Sequence, residues 1–132
     1  MGLLNFLPAT AESVMSLLHF YDCGDMEGKT VAIIGQSNLL GKPLAVHVMN
    51  LGATVYTFNG SSDQEEMKKL CQQSDYIISS TGVVHLVNQE FVRDDQSQIL
   101  VDVGYGYKDG KAVGDIDFTT VVDRVKGITP VP

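Results

Sequence analysis

Four short runs constrain this chain's fold most strongly: TVAIIG (30–35), ATVYTFNG (53–60), DYIISSTG (75–82) and QILVDVG (98–104). Each is rich in β-branched or aromatic residues, lacks polar alternation and closes on a glycine. A strand with one wet face alternates apolar and polar residues, so runs of this kind suit strands buried on both faces of a parallel sheet. Between them lie helical stretches, LLGKPLAVHVMNLG (39–52) and SDQEEMKKLCQQS (62–74), the second with a plainly charged face. A shorter turn or helix is expected over 87–92. Strand and helix alternating in blocks of about 20–25 residues imply βαβ units. The expected fold class is therefore α/β, a doubly wound, mostly parallel sheet with right-handed crossovers.

The flanks complete that reading. Residues 11–22 place Val14, Met15, Leu17, Leu18 and Tyr21 on one helical stripe, after Pro8 and with Thr10 expected as N-cap. Asp109-Gly110, inside KDGKAVGD (108–115), is a hairpin signal; 118–125 reads as a short helix and GITPV (127–131) as a last strand. At 132 residues, with no repeat or linker, the chain is expected to be a single domain, 1–132.

Composition excludes several classes. The 44% hydrophobic and 19% charged residues are those of a soluble globular protein, and the apolar runs are too short to span a membrane. MGLLNF has Phe6 where a myristoylation signal wants Ser or Thr, and the start lacks the basic residues and long apolar stretch of a secretory signal. Nine basic against sixteen acidic residues give a net charge of −7, which repels nucleic acid, since the basic residues are spread thinly. Cys23 and Cys71 have no framework spacing, so a reduced, cytoplasmic protein is expected.

The segment GQSNLLGKP (35–43), directly after the first run, looks like a phosphate-holding loop. A Walker loop is excluded twice: five residues rather than four separate Gly35 from Gly41-Lys42, and Pro43 stands where a magnesium-binding hydroxyl belongs. A dinucleotide loop fits better. Gly35 sits where the chain turns off the strand and Gly41 where the helix presses on the sheet, although Ser37 replaces the middle glycine and the spacing is one residue long. Amides at the helix start are expected to face an anion, and Pro43 in the first turn removes only an N–H that would lack a partner anyway. A tight turn with no ligand is the plainer alternative.

Four motifs together resemble the bifunctional methylenetetrahydrofolate dehydrogenase/cyclohydrolase family. GQSNLLGKP is similar to its G-x-S-x-x-x-G-x-P; FLPAT (6–10) resembles its F-x-P-C-T-P, VDVGYG (101–106) its D-V-G-I-N, and GKAVGDIDF (110–118) its G-K-x-x-G-D-V-x-F. ITPVP (128–132) resembles the first half of T-P-V-P-G-G-V-G-P. The resemblance implies a Rossmann-like NAD(P)-binding domain, with the pyrophosphate on Gly35, Gln36 and Ser37. Gly60 and Ser61 would lie at the ribose, Gly82 near the cofactor, Tyr105 where the family's isoleucine lies against it, and Thr129 would be a further cofactor-binding residue. It also implies that the family's N-terminal folate domain, with its Tyr-x-x-x-Lys pair, and its closing helix lie outside 1–132. The chain is thus expected to be an excised cofactor domain, inactive alone, with folate a partner only of the full-length parent. A homodimer is implied too.

No catalytic residue or metal site is expected within 1–132. His19, His47 and His85 have no metal-ligand spacing and suit packing or surface roles; Ser79-Ser80-Thr81-Gly82 lacks G-x-S-x-G and suits a strand end; Glu65, Glu66, Lys68 and Lys69 suit a solvated helix face. Asn59, Gly60, Ser61 and Ser62 offer no basic residue for a 2′-phosphate, and Asp63 is acidic, so the cofactor is NAD or NADP with weak discrimination or a lean towards NAD. Ala9, Ala11 and Tyr105-Gly106 depart from the family pattern. Two other readings stay open: a binding or interaction module that has lost catalysis, and the cofactor domain of another two-domain dehydrogenase, against which D-V-G and T-P-V-P speak.

Overall fold

The computed structural model describes residues 7–104, 106–108 and 110–129. Tyr105, Asp109, Phe6 and Pro130 to Pro132, each part of a motif above, lie outside them. Five parallel strands form the main sheet: β1 (Thr30–Ile34), β2 (Thr54–Phe58), β3 (Tyr76–Ser79), β4 (Ile99–Asp102) and β7 (Gly127–Thr129). Their order is β2-β1-β3-β4-β7. The hairpin of β5 (Gly106–Lys108) and β6 (Lys111–Val113) stands apart as an antiparallel pair. The helices are α1 (Ala9–Phe20), α2 (Gly41–Asn50), α3 (Gln64–Gln72) and α4 (Phe118–Val121), with a 3₁₀ turn at Gln89–Phe91.

The central strands β1, β3 and β4 form because both their faces are covered, whereas β2, expected to be buried on both faces, is an edge strand with Thr54 and Thr57 exposed. Val31, Ile33 and Ile78 point to one side, into a cluster with Val14, Met15 and Leu18 of α1 and Leu44 and Val48 of α2. Ala32, Ile34 and Ile77 point to the other, against Met67 and Cys71 of α3, Phe91 and Val121. Each fully buried Ile or Leu contributes roughly 1.5–3 kcal/mol, so continuous apolar runs are favoured over alternation. Burial of the Cys71 thiol pushes its pKa up to about 12, leaving it a small apolar group at neutral pH. α3 shows its other face to water, where Lys68 is claimed by Glu90 at 2.7 Å and Glu65 at 3.3 Å.

Two local expectations differ. α1 starts at Ala9 with Pro8 as N-cap and no side-chain cap, so Thr10 lies inside the helix; Pro8, at φ −53 and ψ 150, already provides the extended entry a cap needs. Tyr21 is the C-cap, is mostly exposed, and stacks edge-on with Phe20 instead of joining the core stripe. Because α2 returns from β1 to β2 on one face and α3 from β2 to β3 on the other, the chain reverses its winding between β1 and β3. Ligands of open α/β sheets bind at this switch point, outside the carboxyl ends of the strands.

One buried polar side chain ties this layer arrangement together. Gln98, fully buried, donates from Nε2 to the Cys71 and Ser74 carbonyls at 2.9 and 2.7 Å and accepts from the Arg93 amide at 2.7 Å. It joins the end of α3 to the start of β4. Gln98→Leu keeps the approximate volume but leaves the Arg93 amide and the Ser74 carbonyl without partners, while the Cys71 carbonyl keeps the Ser74 amide, so it is expected to lower the unfolding free energy by about 2 kcal/mol in urea denaturation.

Candidate cofactor site

The end of β1 and the start of α2 are held by backbone contact. Gly35 has φ +116, and a Cβ there would lie 2.7 Å from the Ser80 carbonyl oxygen; a Cβ on Gly41 would overlap the Gly35 carbonyl. The loop between them is closed by Ser37, whose Oγ accepts from the Leu40 and Gly41 amides at 3.1 and 3.4 Å while its carbonyl accepts from Lys42 N at 3.0 Å. The expectation that the helix-start amides face a ligand is corrected here, because Ser37 already takes them. The donors left over lie one step earlier: among the described residues, the amides of Gln36, Ser37, Asn38 and Leu39 meet no acceptor. A loop offering four consecutive amides, beside a helix start and too tight for a Cβ at either glycine, fits an anionic diphosphate.

Gln36 serves through its backbone, since its side chain is pinned over the end of β2. Nε2 donates to Thr57 Oγ1 at 3.0 Å, and Oε1 accepts from Asn59 Nδ2 at 3.1 Å. Asn59 Oδ1 accepts from Ser61 N at 2.8 Å, and Ser62 Oγ accepts from Asn59 N at 2.9 Å. Gly60 and Ser61 therefore sit in a turn ordered by neutral groups, and a Cβ on Gly60 would meet open space. Asp63 is engaged as the N-cap of α3, accepting from the Glu66 amide at 3.0 Å.

At the other end, a cleft of about 350 Å³ opens at the carboxyl ends of β4 and β7, lined by His85, Asp102, Asp117, Phe118 and Thr129 among others. Thr129 Oγ1 accepts from Asp102 N at 2.9 Å. The Gly82 amide, 2.9 Å from Asp115 Oδ1, points inward, so Gly82 offers the cleft no donor. Gly35, Gln36, Ser37, Gly60 and Ser61 thus form one group and Gly82 and Thr129 another, joined where Gly35 meets Ser80; Tyr105 lies outside the described residues.

Two residues that sequence reasoning passed over organise the second group. Asp102 Oδ1 accepts from the Gly104 and Asp115 amides at 3.0 and 3.1 Å, and Oδ2 from Ile116 N at 3.0 Å. Desolvation raises the Asp102 pKa above the ordinary carboxylate value, against the lowering effect of those three amides. Asp115 is fully buried. The only signal for either was their place in the D-V-G and G-D-I stretches. Among the described residues no group of His, Cys, Asp and Glu could hold a metal, and no helix is long and apolar enough to cross a membrane.

Residues 8–132 match the family described as Tetrahydrofolate dehydrogenase/cyclohydrolase, NAD(P)-binding domain. The chain belongs to this family. It is 42% identical over 125 residues to the bifunctional protein FolD of Lactobacillus helveticus, covering 95% of this chain and 43% of that protein. It is 34% identical over 132 residues to FolD of Clostridium botulinum, covering 100% and 45%. Its fold is similar to the crystal structure of FolD from Campylobacter jejuni, with a TM-score of 0.88 at 41% identity over 96% of this chain and 44% of that one. A second similar structure is FolD of Trypanosoma brucei complexed with NADP and an inhibitor, with a TM-score of 0.87 at 29% identity over 96% and 44%. The chain spans less than half the length of the curated relatives it matches.

The glycines allow a contrast. Gly41→Ala is expected to cost about 2 kcal/mol or more, because the methyl meets backbone rather than a yielding side chain. Gly60→Ala, facing open space, should stay within about 0.5 kcal/mol of wild type. Thermal unfolding followed by circular dichroism measures both.

Proposed function

We propose that this chain is the cofactor-binding half of a methylenetetrahydrofolate dehydrogenase/cyclohydrolase, holding a nicotinamide dinucleotide across the carboxyl ends of its strands. The observation that carries the reading is the Gly35–Gly41 loop with its four unpartnered amides beside a topological switch point. The pyrophosphate would lie on the amides of residues 36–39, with the Ser37 hydroxyl hydrogen free to add a donor. The adenosine ribose would lie over residues 59–62, and the nicotinamide half would run past Gly82 into the cleft at Asp102 and Thr129. When bound, the cofactor supplies hydride transfer; this chain's residues bind it and orient it.

NAD is favoured over NADP. A 2′-phosphate adds about two negative charges, and the chain already carries −7. No basic residue stands at 59–62, and Lys68 is held by Glu90 and Glu65, which raise its pKa. The Trypanosoma relative carries NADP, so cofactor choice is expected to vary with this turn. Titration calorimetry should show NAD binding at least as well as NADP. Gly60→Arg or Ser61→Arg should strengthen NADP selectively by about tenfold, the size of one charge-assisted hydrogen bond. NADP binding tenfold tighter than NAD in the wild type would sink this assignment.

Folate chemistry requires more than these residues supply. The described histidines are not placed for general acid/base work in the cleft, except His85, whose backbone is tied to the Gly114 carbonyl at 3.2 Å. Residues 1–132 alone are therefore expected to give no dehydrogenase turnover above buffer, measured by absorbance of the reduced nicotinamide. A homodimer is part of this reading, with the open edge of β2 as the surface available for it.

A further inference from the structure

Asp115 is fully buried, and among the described residues no Lys, Arg or His forms an ion pair with it. Its charge is met by four donors instead. Oδ2 accepts from Ser79 Oγ at 2.7 Å, Thr81 N at 2.6 Å and Thr81 Oγ1 at 2.7 Å, and Oδ1 accepts from Gly82 N at 2.9 Å. Room for the carboxylate is left by Gly104, where a Cβ would overlap Asp115 Oδ1. Burying a carboxylate costs several kcal/mol even when hydrogen-bonded, and an apolar residue would staple these segments as well. The effect on the turn that Asp115 grips is what an apolar residue could not reproduce.

All peptide bonds of the described residues are trans, so each N–H points opposite to the carbonyl of the residue before it. With the Thr81 and Gly82 amides drawn inward to Asp115, the Ser80 and Thr81 carbonyls must point away from it. The Ser80 carbonyl does so, lying against Gly35. The Ser80 amide is taken by Ile34 O at 2.9 Å and the Val83 amide by Thr81 Oγ1 at 3.0 Å. Four consecutive amides, 80 to 83, are thus all taken, the last by the neighbouring Thr81 side chain, and the Thr81 and Gly82 carbonyls accept nothing among the described residues.

We propose that Asp115 is a positioning residue for the cofactor: by holding the Gly82 amide it aims the Thr81 carbonyl, and by fixing Thr81 Oγ1, which holds the Val83 amide, it aims the Gly82 carbonyl, both at the donor-bearing nicotinamide half, the ribose hydroxyls or carboxamide. This rests on the dinucleotide reading above. Only an acceptor can do it, because all four of its partners donate; an asparagine would set an NH₂ against at least one of them.

The test is calorimetric titration of the 132-residue chain with NAD and with ADP, which shares the adenosine and diphosphate but lacks the nicotinamide half. Asp115→Asn should bind NAD about tenfold more weakly while ADP binding stays within about twofold, since the lost contacts belong to one end of the ligand. Thr81→Val, at an exposed position, removes one donor to Asp115 and should produce the same NAD-selective loss, about threefold. It decides the matter if Asp115→Asn does not fold. Equal losses for NAD and ADP, or no loss for NAD, would overturn the role of Asp115 alone. A wild type that binds neither ligand would overturn the dinucleotide reading and this proposal together.

Discussion

The contact between the Gly35 carbonyl and the Gly41 backbone sets the position of everything around it. It lets α2 start one short loop after the central strand, so that Leu44 and Val48 drop fully buried onto Val31 and Ile33. It also confines residues 36–39 to a loop too tight to satisfy its own amides. The Gly35–Ser80 approach does the same on the β3 side, which is why the first loop and the turn after β3 act as one wall. A side chain at either glycine would separate strand from helix and remove the donor cluster in one step.

The positive potential here comes from backbone rather than from side chains. Lys42 is exposed at the start of α2, Lys68 is committed to Glu90 and Glu65, and the turn after β2 is ordered by an amide and hydroxyl network. Peptide dipoles and the helix start are therefore the main attraction for an anion in a chain of net charge −7. Such an attraction is short-ranged and geometric, so it favours a diphosphate that fits the loop over diffuse negative charge.

The sheet was legible because its central strands β1, β3 and β4 are apolar on both sides, a pattern local enough to read from five or six residues, while the exposed Thr54 and Thr57 of β2 follow from its edge position. The loop was legible in outline from its glycines, and the hairpin after β4 from Asp109-Gly110. Details depending on distant partners were not. Ser37 looked like a poor substitute for a glycine, yet it closes the loop by capping Leu40 and Gly41. Thr10 looked like a cap, yet Pro8 made one unnecessary. Asp102 and Asp115 were given no role of their own, since nothing within a few residues says that Ser79, Thr81 and Gly82, more than thirty positions away, will supply the donors that let Asp115 be buried.

Taken along its length, the crevice changes chemical character. At Gln36 to Leu39 it presents donors, which suit negative charge. Past Gly35 come the half-buried carboxylate of Asp102 and the hydroxyl of Thr129, beside the Thr81 and Gly82 carbonyls proposed to face the ligand. That end is rich in acceptors, and no Lys or Arg is among the described residues lining the cleft. A ligand matching both ends must be anionic at one point and carry hydroxyl or amide donors, or a cationic ring, at another some distance away. An isolated phosphate satisfies only the first region and a neutral sugar only the second. An oxidised nicotinamide dinucleotide satisfies both, with its pyrophosphate at the donors and its positively charged ring and ribose at the acceptors. On this proposal, the separation of donors from acceptors, imposed by which way each peptide plane is turned, would favour a bipolar molecule over either half alone.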